Sequence, residues 1–351
     1  MSSLSPGSLL VHVGSMEILA WVHNDPLNTP RYRTQVLYTP HDDTQTERDR
    51  YRYHVTDALK LLFTRIKEDD AIPHEIVHVI YSLDPTWYIP RYDIFDKGYL
   101  KERVITQTDV DTMYQEWITG THEKKWHIEH PSYAHTLGWE SLAIEIDGYR
   151  VESLSPDPVH RVRIAGITTM GDHEMIGQLD ALASLMLGGP ELSFQTYVQT
   201  IRTMMDAGTY IHVGMFSSHV IASHRERHQA KIISIDWGVS DIARIFESHT
   251  HVAVQDFTSY KQSSIKGHIH APGDEYHKEL HDSLESTIHE SLKYISDERL
   301  LAPPLVFVWM DEIFIGMNYQ GLELITPFFK KTFHQDKDVR EAWILNLAQG
   351  L

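Results

Sequence analysis

The chain has 351 residues, enough for two domains or for one domain with a large insertion, and a composition of 42% hydrophobic and 23% charged residues, as in globular proteins. A net charge of −18 argues against nucleic acid or an anionic membrane as the main partner, although the 24 histidines would offset much of that charge in mild acid. The absence of cysteine excludes disulfides, thiolate catalysis and Cys-ligated zinc.

Residues 1–8 are rich in Ser, Pro and Gly and lack the basic start of a secretory signal. No run reaches the ~18 apolar residues of a membrane-spanning helix. A cytoplasmic location is the expectation. Residues 9–23 read as strand, turn and strand: Leu9, Val11 and Val13 alternate before Gly14-Ser15. A polar stretch follows, with a short strand at 35–38 and a charged loop at 41–50. Residues 55–67 carry Ala58, Leu61, Leu62 and Ile66 on one face of a helix. Residues 76–82 are nearly all apolar, as in a strand buried on both faces.

His74, Glu75 and His78 fit the HExxH pattern of zinc hydrolases. That chemistry needs a helix, so that both histidines reach one metal. On a strand they stand about 13 Å apart, against zinc–ligand bonds of about 2 Å. Pro73 and the β-branched residues that follow favour a strand, so the motif reads as a decoy and no metal site is expected.

Residues 85–98 are extended and aromatic. A short helix is predicted at 107–117, capped by Thr108, with Thr106 as the alternative cap because Asp109 stands three residues on. A polar linker at 122–133 leads to a hairpin turning at Asp147-Gly148, and a strand follows at 159–167. Helices are predicted at 172–187 and 192–207, separated by Gly188-Gly189-Pro190, and at 215–228. The pairs His249/His251 and His268/His270 read as loop histidines. Further on, the pattern predicts a strand at 252–256, a helix at 274–297, a strand at 305–309 and a helix at 339–347.

Residues 231–246 read as a second strand-turn-strand. Their turn holds Asp236, Gly238, Ser240 and Asp241, which suit a phosphate approached by backbone and a hydrated Mg2+. An ordinary hairpin is the plainer alternative. Two such hairpins far apart in the chain suggest a duplicated architecture with a site between its halves. No GxxxxGK[ST], GxGxxG or GxSxG motif is present.

The order of elements resembles the actin-like ATPases of the FtsA and PilM type. The stretches that carry the resemblance are VTDALKLLFTRIK, EIVHVIYSL, VITQTDVDTMYQEW, LAIEIDGYRVESLSPDP and FSSHVIASHRERHQAKIISIDWGVSDIARI, within residues 9–260. It implies an α/β, two-lobed actin-like (ribonuclease H-like) fold. Lobe I would comprise residues 1–85 and 163–230, a small inserted SHS2-like α+β subdomain 86–162, and a reduced lobe II 231–351. It also implies ATP with Mg2+ held by Gly14, Ser15, Asp236, Gly238, Ser240 and Asp241. Several departures argue for loss of that activity. His12 stands where the family has aspartate, Trp237 and Val239 replace glycines, and residues 310–314 lack glycine. Trp237 is expected to fill the nucleotide's space. The implied role is a non-catalytic or weakly ATP-binding scaffold of cell division or pilus assembly. A working Mg-ATPase is the alternative. The implied partners are assembly proteins, a membrane-protein peptide docking near Trp87, Tyr88, Tyr92 and Phe95, and further copies of the chain.

Overall fold

In the computed structural model the residues described are 7–15, 17–22, 31–36, 44–70, 76–117, 132–133, 135–151, 153–154, 156–196, 207–224, 229–250, 305–308 and 323–324. The chain folds α/β around three sheets, and two of these repeat one plan. The first sheet is built from β1 (Ser8–Val13), β2 (Glu17–Val22), β3 (Tyr32–Gln35), β4 (His78–Leu83) and β9 (Glu191–Thr196), in the order β3-β2-β1-β4-β9. The second uses β10 (Ala207–Val213), β11 (Ser218–His224), β12 (Gln229–Ile235), β13 (Leu305–Val308) and β14 (Glu323–Leu324), in the order β12-β11-β10-β13-β14. In each, three antiparallel strands are followed by a helix and then by a strand parallel to the first. The helices are α1 (Thr44–Glu68) in the first half and α4 (Val239–Thr250) in the second.

β1 holds the centre of its sheet, and every one of its residues is buried. On α1, Tyr51, Val55, Ala58, Leu59, Leu62, Phe63 and Ile66 form the buried stripe that covers this sheet. Beside α1 packs α3 (His173–Leu187), capped by the Asp172 carboxylate on Met175 N at 2.8 Å and closed by Gly188 at φ 88°.

The third sheet, order β5-β8-β6-β7, lies between β4 and α3 in the chain. Its strands are β5 (Tyr88–Arg103), β6 (His135–Ile146), β7 (Tyr149–Val151) and β8 (Val159–Gly171). The hairpin between β6 and β7 turns at Asp147 and Gly148, both with positive φ. With α2 (Gln107–Trp117) the sheet encloses a small core of its own, centred on Val110, Met113, Val162 and Ile164. The α2 cap is Thr106, not Thr108: Thr106 Oγ1 accepts from Asp109 N at 3.2 Å and the Asp109 carboxylate accepts from Thr106 N at 2.9 Å.

Several expectations are corrected. Residues 44–50, expected as loop, are the first turns of α1. Residues 191–196 are strand β9, because Leu192, Phe194 and Thr196 alternate beside β4. Within the span 215–228 expected as helix lies strand β11, whose Val220 and Ile221 suit a sheet. After Asp236 the chain enters α4 rather than a returning strand. Val239, Ile242, Ala243 and Phe246 recur at helical spacing, which outweighs the isoleucines read as a strand. The second glycine hairpin is therefore β10–β11, and the expected division at 230/231 falls inside β12. His78 opens strand β4, with Nε2 2.9 Å from Ser193 Oγ, so the helix that zinc chemistry needs is absent there. His74 and Glu75 lie outside the described residues, as do most of the elements expected after residue 251. Among the described residues no helix is long and apolar enough to cross a membrane.

Candidate functional site

Two equivalent turns meet at the centre of the molecule. His12-Val13-Gly14 ends β1 and His212-Val213-Gly214 ends β10. Gly14 N donates to the Glu17 carbonyl at 3.1 Å, and Gly214 N donates to the Ser217 carbonyl at 2.9 Å. The segment leaving β4 runs between them. Its Asp84 carboxylate, 1% exposed, accepts from Ser15 Oγ at 2.5 Å, Thr86 N at 2.9 Å and Met215 N at 3.3 Å. Burial pushes this carboxyl up from its ordinary range, and hydrogen bonds from Ser15, Thr86 and Met215 pull it back. A Cβ on Gly214 would lie 2.5 Å from Asp84 Oδ1, so glycine is what lets the carboxylate approach.

The neighbours of Asp84 complete the junction. Thr86 Oγ1 accepts from Phe216 N at 3.3 Å, Ser217 Oγ donates to the Pro85 carbonyl at 3.2 Å, and His219 Nε2 lies 2.9 Å from the Tyr88 carbonyl. From α1, Tyr51 donates to the Ser15 carbonyl at 2.5 Å and stacks on Trp87.

The start of α4 packs on the second turn. Val239 N and Ser240 N donate to the Gly214 and Met215 carbonyls, each at 2.9 Å, and Gly238 N donates to Asp241 Oδ2 at 2.9 Å. The first N–H groups of a helix form a ready anion site when free; here they are committed to the protein itself. Gly238 has no spare room, since a Cβ there would lie 2.5 Å from the Met215 carbonyl oxygen and against that of Gly214.

Beside this junction opens a polar cleft of ≈ 540 Å³, walled by α1, the first turn of α3, Phe216 and the start of α4. Five carboxylates (Glu47, Asp49, Glu174, Asp236 and Asp241) outnumber three guanidiniums, so the wall is acidic. The guanidiniums are already engaged. Arg244 of α4 pairs with the buried Glu47 of α1, Arg52 binds Glu174 at 2.5 Å and Asp172 at 3.4 Å, and Arg48 lies over the Tyr133 ring. Burial raises the Asp241 carboxyl, and Asp236 nearby adds to the rise.

The predicted site residues are thus divided. Asp236, Ser240 and Asp241 share the cleft wall; Gly14 and Ser15 form the first turn; Gly238 is packed against the second turn. Trp237 is buried and is not among the cleft-lining residues, so it is not the plug expected of it. Trp87 and Tyr88, expected as a docking surface, are fully buried. Asp84, Thr86, Glu47 and Arg244 escaped sequence reasoning. The repeated His-Val-Gly was the available signal, since it marks 214 rather than 238 as the partner of Gly14.

The buried histidines carry a pH dependence. His212 and His219 face each other across β10 and β11. Burial pushes His219 down to about 4 and His212 well below its ordinary value, with His12 and His219 adding repulsion at His212. Their neutral forms belong to the folded state, so the stability they contribute is complete above about pH 6.5 and is lost as the pH falls from there towards 4. Asp84 and Asp93, whose carboxyls burial raises, the latter to about 6, titrate with the opposite sign. The advantage of wild type over His219→Gln is therefore expected to shrink by about 3 kcal/mol between pH 7 and pH 4 in urea denaturation.

No family model and no curated protein matches the chain. Solved structures do. One described as a PilM-PilN type IV pilus biogenesis complex is 10% identical over 98% of each chain, with a TM-score of 0.58. The ethanolamine utilization protein EutJ from Carboxydothermus hydrogenoformans is 9% identical over 97% of this chain and 88% of its own, with a TM-score of 0.46. At such identities the likeness is one of fold. The chain has the α/β fold of the actin-like ATPases, its two similar halves facing each other across the junction at Asp84.

Proposed function

We propose that this actin-like chain is a scaffold that works through protein contacts and does not depend on ATP. The observation that carries the reading is the state of the two turns. In the resemblance to FtsA and PilM, a magnesium nucleotide places its phosphates between them. Here that place holds the Asp84 carboxylate, and the N–H groups of Met215, Val239 and Ser240 already have acceptors in the protein. The acidic wall of the neighbouring cleft adds repulsion towards a triphosphate. The residues present do not fit Mg-ATP. Histidine also stands at both 12 and 212, each two residues before a turn glycine.

The setting we propose is a pilus- or secretion-type assembly at the inner face of a membrane, reached through partners. It rests on the structural likeness to the chain of the PilM-PilN complex. We assign the third sheet with α2, residues 88–171, to the SHS2-like subdomain that the resemblance places at 86–162, as a unit with its own core. Its exposed apolar residues Ile94, Leu100, Val104 and Tyr149 offer contacts that Trp87 and Tyr88 cannot.

Isothermal titration of the full chain with Mg-ATP tests the reading. No binding up to millimolar nucleotide is expected. Micromolar binding that Asp236→Ala abolishes would restore the working-ATPase alternative.

A further inference from the structure

We infer that Asp84 is a built-in anion that holds the two halves together in place of a ligand. The inference rests on the proposal of ATP independence and adds a role for one side chain. The geometry is that of an oxyanion cradle assembled from both halves. Ser15 Oγ comes from the first turn, Met215 N from the second and Thr86 N from the segment between them, and all three converge on one carboxylate. Gly214 supplies the close approach that a phosphate would otherwise use. The carboxylate is buried, and the groups that meet it are N–H and O–H donors whose dipoles point at its oxygens. A second tie, between Glu47 of α1 and Arg244 of α4, joins the equivalent helices of the two halves across the cleft. The halves therefore stay closed with no nucleotide to bridge them.

A cradle that recognises a carboxylate should accept a small carboxylate when its own is removed. In the full-length chain, Asp84→Gly deletes the anion and leaves its donors. The cradle predicts a lowered unfolding midpoint that formate raises in a saturable way, while sodium chloride of the same ionic strength does not. In Asp84→Asn the cradle stays filled, and formate is expected to add nothing beyond the chloride effect. Should Asp84→Gly not accumulate in folded form, refolding by dilution into formate or into chloride reads the same point, with recovery expected in formate alone. Equal responses to the two salts in Asp84→Gly would overturn the built-in anion. That result would leave ATP independence standing, because the wild-type titration with Mg-ATP decides the latter separately.

Discussion

Gly238→Ala is expected to cost about 3 kcal/mol of stability, read as a lowered urea midpoint with an unchanged slope. The added Cβ has two backbone carbonyls in its way, those of Gly214 and Met215, and neither can turn aside as a side chain would. Those same carbonyls accept from Val239 N and Ser240 N, so moving them away also breaks the first bonds of α4 to the turn. The helical preference of alanine over glycine is worth about 1 kcal/mol and does not apply at a residue just before the helix. Gly177, inside α3 with nothing near its Cβ position, is the control: Gly177→Ala is expected to be neutral or mildly stabilising.

Asp84→Ala is expected to cost about 3–5 kcal/mol in the same assay. The substitution leaves Ser15 Oγ, Thr86 N and Met215 N without their carboxylate acceptor in a place that water does not reach. Each orphaned donor costs about 1–3 kcal/mol, and relief from burying a raised carboxylate returns part of the sum. Asp84→Asn keeps an acceptor in place and is expected to cost less than half as much. A loss under about 1 kcal/mol for the alanine variant would mean that the turns close without it.

Much of the fold was legible because strong local signals agreed with the tertiary outcome. Asp172 and Gly188 bound α3, and Asp147-Gly148 turns its hairpin, as their chemistry requires. The failures share a cause. Segments 192–196 and 218–224 are short and carry only two or three apolar residues each, so in isolation they suit helix or strand; parallel pairing with β4 and antiparallel pairing with β10 decide for strand. That misreading hid the second turn and moved the expected hairpin onto Gly238. The candidate site was legible only in part. Asp236, Ser240 and Asp241 do face a cleft, and Gly14-Ser15 does form a turn. Asp84 could not be found from spacing alone, because a buried carboxylate between two turns depends on contacts more than a hundred residues apart, such as that with Met215.

The central claim, that the turn donors are spent on the protein itself, is tested most directly by amide hydrogen exchange in the nucleotide-free chain. Thr86, Met215, Val239 and Ser240 are the amides to follow, because each has an acceptor within the protein. All four are expected to exchange as slowly as the core strand β1 and to be unchanged by Mg-ATP. Fast exchange at these amides, slowed on adding Mg-ATP, would contradict it.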